Sequence, residues 1–408
     1  MKTFIAAIPL FNSVMQVEAY RLRDKSCERI LGTAHDFQSF GDALLTRNLD
    51  IVEQIGVDVF TGGKPLFVDL NQYQLLMDVP TNKNIPPNQL VCVLPDHIVR
   101  NDAVWEKCMA LKELGYRLAC EVTKPDILKD RLAVLFDYML ISYQHIGSSA
   151  WLTKLSEFKH LVVSDIPDQE AFETISLVPK VLFTGSFYTR PITKGASQIS
   201  PLKINALQLL NQVNEADTDL TMIARIIERD PAISISLLRF INSPAVQVTR
   251  KITSIRNGVA ILGQKEIKRW IMVAVSIALA EDRPNELARI SLIRGKFAEN
   301  LATAFELGAL APSLFMMGLF SLLDVILQKP MHEALQEIAV SERIRMALVE
   351  RTGEFFEVLN LIFAYEHANW DQVSVMMIRN NLQPEKVIGA FIDALVWYRD
   401  LLEGIELG

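Results

Sequence analysis

The stretch VEAYRLRDK at 17–25 is a short apolar run that closes in charge, and it reads as the first strand of a barrel, ending at Arg21. Runs at 65–70, 89–94 and 115–122 are of similar length and end mostly in uncharged residues. Helix-like segments at 104–114, 128–135 and 169–177 alternate with further apolar runs at 138–141, 161–163 and 181–183. Strand and helix in turn imply parallel βα units, because a parallel crossover needs a dozen or more residues. Residues 2–11 contain Pro9 and no small-residue cleavage site, so they read as a buried first strand and not as a signal peptide.

At 408 residues, half of them hydrophobic, the chain is long enough for two cores. Its net charge of -7 provides no global positive field for nucleic acid or an anionic membrane. The apolar stretches at 271–280 and 314–327 are short, or broken by Ser321 and Asp324, against the ~20 residues of a membrane span. Cys27, Cys92, Cys108 and Cys120 have no CxxC spacing and fall in apolar surroundings, which predicts reduced, buried thiols in a cytoplasm. The six histidines are scattered without zinc-ligand spacing.

The run ITKGASQISP at 192–201 is small and polar, and beyond it strand signals stop, which marks a boundary. Leu202, Ala206, Leu209, Leu210 and Val213 then recur at helical spacing. Asp230 and Pro231 set a helix start, the first as acceptor for free N–H groups and the second at a position whose N–H is spare. Asn242, Ser243 and Pro244 stop that helix, Ser254 caps the next, and Gly263 is expected to end it in a left-handed conformation. Lys265, Lys268 and Arg269 cluster after Gly263, but the continuation WIMVAVSIALA is too apolar for a DNA-recognition helix.

DPAISISLLRFINSPA at 230–245 and ITSIRNGVAILG at 252–263 resemble the HDOD family of bacterial signalling domains, over a region reaching from Leu202 through a tail at 363–397. In the first half PLFNSVMQVEAY, KPLFVDLN, LKELGYRLACEV, FDYMLIS and VLFTGSFYTRP resemble the strand segments of the EAL family. That resemblance implies a degenerate TIM-type (β/α) barrel at 1–193, followed by an all-helical HD-like domain at 200–408. Active EAL barrels hydrolyse cyclic di-GMP with two metal ions, using groups at the C-terminal ends of the strands.

Carried onto this chain, the family's glutamate falls on Arg21, its metal-binding asparagine on Asp69 and its next glutamate on Val93. The paired aspartates fall on Glu121 and Val122, the strand lysine on Leu140, and the aspartate two residues later on Ser142. A later glutamate falls near Ser164, and the glutamine before a glycine falls on Thr184, with Gly185 kept. The phosphate-contacting arginine falls on Lys25, and the place of an HD metal pair in the second half holds Ser321, Leu322 and Asp324. The resemblance thus implies a catalytically inactive adaptor with no metal or other cofactor, acting on signalling proteins and pairing as a homodimer. The alternatives are a metal-independent receptor for cyclic di-GMP or another nucleotide, and a residual phosphodiesterase. Arg21 itself is expected either to replace the lost cation by pairing with Asp69 or Glu121, or to point into solvent.

Overall fold

The computed structural model describes residues 4–24, 47–77, 81, 84–99, 101–123, 135–146, 160–191, 199, 201–215, 219–242, 246 and 251–406. Lys25, Ser243, most of the expected helix at 128–135 and most of the boundary stretch at 192–201 lie outside the described residues. The chain divides into two compact units, Met1–Arg190 with Phe363–Met376, and Pro191–Ile362 with Met377–Gly408.

The first unit is a closed barrel of eight strands in chain order: β1 Ile5–Phe11, β2 Val17–Asp24, β3 Leu66–Asp69, β4 Leu90–Pro95, β5 Arg117–Glu121, β6 Tyr138–Ser142, β7 Leu161–Ile166 and β8 Val181–Gly185. From β2 to β8 each neighbouring pair is parallel, while β1 runs antiparallel to both β2 and β8. VEAYRLRDK is therefore the second strand of the barrel and the first of the parallel series, and it continues past Arg21 to Asp24. The cause is the turn before it. Asn12 Oδ1 accepts from the backbone N–H groups of Val14 and Gln16, both at 3.0 Å, and Met15 adopts a φ of 63°. A turn this tight leaves no room for a crossover helix, so the strands it joins must be antiparallel.

Side chains alternate across each strand, and one set fills the barrel. Leu10, Ala19, Phe67, Val91, Val93, Ala119, Leu140 and Val162 form a single buried cluster, with Tyr138 and Leu182 packed against it. At the N-terminal ends of the parallel strands Tyr138 meets Phe67 edge-on at 4.9 Å, and its hydroxyl accepts from Arg117 Nη1 at 3.3 Å. The seam of β1 and β8 is covered by rings: Phe187 stacks on Phe172 at 4.7 Å and meets Phe11 at 5.8 Å. Gly185 stays glycine for want of space, since a Cβ there would lie 2.2 Å from the carbonyl oxygen of Ile166.

The segment Phe363–Met376 belongs with this barrel although in sequence it interrupts the helical unit, which resumes at Met377. Trp370 stacks on Phe4 at 5.7 Å, and Tyr365 meets both rings edge-on, at 5.9 Å from Phe4 and 5.3 Å from Trp370. All three are buried, so the segment covers the start of β1.

In the helical unit Asp230 Oδ1 accepts from the N–H of Ile233 at 3.1 Å, opening the helix Pro231–Ile241 as expected. Asn242 does more than stop it. Its Nδ2 donates to the carbonyls of Leu238 and Ile252 at 2.6 and 2.8 Å, and its Oδ1 accepts from the N–H of Ile252 at 2.7 Å, tying two distant backbone points together. Ser254 Oγ caps the helix Ile255–Leu279 at Asn257 N–H, at 3.5 Å.

Two expectations are refined in this unit. Gly263 ends a first helix as expected, but its φ of 74° and ψ of 170° lie outside the left-handed helical region, and a second helix starts directly after it, burying Ile267, Trp270, Ile271, Val273 and Val275. The apolar stretch at 314–327 is interrupted at Ser321 as expected, although the wider window Gly308–Leu327 is long and apolar enough, by length and composition, to cross a membrane. It folds instead as the helices Ala311–Leu319 and Leu323–Leu327, with 67% of the apolar window buried inside the unit. The first of these packs on the helix Asn285–Leu301 so closely that a Cβ on Gly318 would sit 2.5 Å from the carbonyl oxygen of Arg294.

Candidate functional site

Strand alternation fixes what lines the C-terminal mouth of the barrel. Two residues beyond Ala19, Phe67, Ala119, Leu140, Val162 and Leu182 of the interior stand Arg21, Asp69, Glu121, Ser142, Ser164 and Thr184, and the pleat aims them inward at one end. The expected positions therefore do converge. Val93 pairs in register with Asp69, and Leu140 with Glu121, but both lie in the apolar interior cluster. Val122 follows Glu121 directly, so it faces away from it, and it is buried.

Arg21 is 5% exposed and sits between two carboxylates. Its Nη2 lies 2.7 Å from Asp69 Oδ1 and 3.2 Å from Glu121 Oε2, while Nε donates to Asp69 Oδ1 at 3.1 Å and Nη1 reaches Glu121 Oε1 at 3.4 Å. The pairing is thus with both acids, and the solvent-facing arrangement is excluded. Burial works against the guanidinium's charge, but Asp69 and then Glu121 outweigh it, so Arg21 holds its proton more firmly than an ordinary arginine.

Arg23 completes the set with Nη1 at 3.4 Å from Asp69 Oδ2. Two residues beyond Arg21 on a strand is the same face, so strand alternation alone points to Arg23. Two arginines and two carboxylates leave this group electrically balanced. On the other side of the mouth Ser164 Oγ donates to Asp165 Oδ2 at 2.8 Å, Ser142 is half-buried, and Thr184 Oγ1 is buried without a hydrogen-bond partner among the described residues.

A pair of divalent cations does not fit this donor set. The guanidinium already stands within bonding distance of both surviving acids, and a unit charge ~4 Å from Arg21 meets roughly 4 kcal/mol of repulsion per unit charge at an effective dielectric near 20. Among the described residues no three His, Cys, Asp or Glu side chains are grouped to hold a metal ion. The described thiols add no nucleophile, because burial pushes Cys108 and Cys120 up to about 12 and raises Cys92 further.

The second place of interest lies in the helical unit. Ser321 Oγ accepts from Arg294 Nη1 at 3.0 Å and donates to the carbonyl of Gly318 at 2.7 Å, and Arg294, Ser321 and Asp324 are all buried. A hydroxyl and a guanidinium thus stand where the resemblance places a metal pair. Nearby, Lys203 Nζ donates to the carbonyl of Ile326 at 3.0 Å and lies 2.6 Å from Asp282. Burial alone would raise the carboxyl of Asp282, but Lys203 and Arg283 outweigh it and hold it below the usual range.

Residues 199–368 match the HDOD domain family. The chain is 28% identical over 416 residues to the uncharacterized protein YuxH of Bacillus subtilis, covering 99% of this chain and 100% of that protein. It is 24% identical over 412 residues to the cyclic di-GMP phosphodiesterase CdgJ of Vibrio cholerae, covering 98% of this chain and 93% of that protein. Among solved structures, BlrP1 of Klebsiella pneumoniae in its manganese and cyclic di-GMP complex is similar over 45% of this chain and 55% of its own, at 14% identity and a TM-score of 0.36, a likeness too loose to bear on function.

Proposed function

We propose that this chain, a barrel resembling the EAL type followed by an HDOD domain, is a bacterial signalling protein that works by binding other proteins and does not hydrolyse cyclic di-GMP. The observation that carries the reading is Arg21, buried between Asp69 and Glu121 where a hydrolytic cation would need those oxygens. Lowering the pKa of a bound water from ~15.7 towards ~7 takes a metal, and a guanidinium cannot substitute for it, since it has no vacant orbital to accept an oxygen lone pair. Val93 and Leu140 support the same reading, because each presents hydrocarbon where the family resemblance expects a ligand or a lysine.

The direct test is incubation of the purified chain with cyclic di-GMP and millimolar magnesium or manganese. No turnover above the protein-free rate is expected. Turnover that disappears with Asp69→Asn would sink the proposal.

A second reading is favoured by the name of the Vibrio cholerae relative, a cyclic di-GMP phosphodiesterase. On that reading this chain retains slow hydrolysis, or binds the nucleotide without metal. Against binding stands the charge balance of Arg21, Arg23, Asp69 and Glu121, which leaves little net field to attract a dianion. Calorimetric titration with cyclic di-GMP separates the two: no heat is expected, and a saturable signal lost in Arg23→Ala would establish a receptor.

A further inference from the structure

The chain's net charge of -7 conceals a local reversal. Residues 220–270 hold nine Lys and Arg against three Asp and Glu, a net of +6, whereas 271–408 hold eleven against nineteen, a net of -8. The positive stretch comprises the helices Leu220–Glu228 and Pro231–Ile241 and the first part of Ile255–Leu279, which pack on one another. Arg225, Arg229, Arg239, Lys251, Arg256 and Lys265 are all exposed there. Of these six, Arg256 alone makes an ion pair among the described residues, at 3.3 Å from Glu228. The three acids of the stretch, Glu228, Asp230 and Glu266, are already counted in that net of +6.

Apolar side chains are interleaved with these cations. Met222, Ile235 and Ile261 are 44%, 55% and 50% exposed. Met222 shares a helix stripe with Arg225 and Arg229, and Ile235 shares one with Arg239. A phosphate backbone is held by charge and hydrogen bonds, and leaves such methyl groups unused. A protein partner uses both kinds of group, since Arg and Met are enriched at interface cores and opposite charge steers approach.

We propose that the outer surface formed by the helices Leu220–Glu228 and Pro231–Ile241 and the first part of Ile255–Leu279 docks an acidic protein segment that carries apolar side chains at helical spacing. This rests on the protein-binding reading above and names the surface and partner chemistry for it. The test is fluorescence anisotropy of the full-length chain with a labelled 20-residue amphipathic helix of Leu and Glu, beside the same peptide with Gln for Glu.

The Glu peptide is expected to bind at least tenfold more tightly than the Gln peptide. It should weaken at least tenfold between 50 and 300 mM salt, and at least tenfold in the triple variant Arg225→Glu, Arg229→Glu, Arg239→Glu. Should that variant fail to fold, Met222→Ser with Ile235→Ser tests the apolar half of the surface, and unchanged affinity there overturns the proposal. Equal binding of the two peptides overturns it as well. So does tighter binding of a 20-base-pair duplex or of phosphatidylglycerol vesicles, or salt-sensitive self-association that the charge reversal abolishes. Turnover of cyclic di-GMP would remove the non-enzymatic reading and leave this result standing, whereas equal peptide binding without turnover would remove only the docking surface.

Discussion

Replacing Arg21 by Met leaves Asp69, with its side chain only 16% exposed, beside a hydrocarbon in place of the guanidinium that now bridges it to Glu121. Breaking a buried pair from one side costs about 3–5 kcal/mol, whereas removing both charges together is near neutral. Arg21→Met is therefore expected to lower urea-unfolding stability by about that amount, and the double change Arg21→Met, Asp69→Leu to recover most of it. A single-variant loss under about 1 kcal/mol would show that water already screens the cluster. Asp282 gives a pH signature. Its carboxyl is held below the usual range, so the stability it contributes is fully present above its unfolded value near 3.8 and is lost as the pH falls through the lower folded value. The melting-temperature gap between wild type and Asp282→Asn should be widest near neutrality and close on acidification below pH 3.8. Val93 and Leu140 were legible as positions without a metal ligand, because a hydrocarbon side chain offers no donor atom. Arg23 was legible in principle, from strand alternation, and was overlooked. The double engagement of Arg21 was not legible, because which acids a long side chain reaches depends on the register of three strands.

At the scale of elements, close backbone approach and turn geometry decided what pattern could not. The barrel strands and the helix starting at Asp230-Pro231 followed from alternation and capping chemistry. The antiparallel first strand did not, since its direction is set by the Asn12 turn and not by the composition of residues 5–11. Gly263 was recognised as a break, but whether the chain stops or continues there depends on the buried run beyond it. Gly318 carries no sequence signal at all, because the carbonyl it admits belongs to another helix. Gly318→Ala should lower stability by roughly 1–3 kcal/mol, as overpacking of a close contact does, with a cooperative shift of the thermal midpoint. An unshifted midpoint would mean that the two helices can separate freely. Asn242→Ala removes three hydrogen bonds to backbone and should cost about 1–3 kcal/mol, with faster amide exchange at Ile252, whose N–H it now holds.

For the whole molecule, two halves, a barrel and a helical domain, were legible in the chain, and the return of residues near 370 to the first of them was not. The reason is physical: an aromatic residue in an amphipathic helix looks the same whichever core receives it. Trp370→Ala should destabilise by about 3–5 kcal/mol, and because Trp370 packs on Phe4 the loss should fall first on the barrel, seen as selective exchange of the β1 amides. The return also has a consequence in time. Phe4 leaves the ribosome 366 residues ahead of its stacking partner Trp370, which at about 5–20 residues per second is a delay of roughly 20–70 s. The eight strands are complete once Gly185 has emerged, so for the last 185 of those residues, roughly 10–40 s, β1 waits for the rings of Tyr365 and Trp370, and the nascent barrel must be tolerated by the cell in an incomplete form.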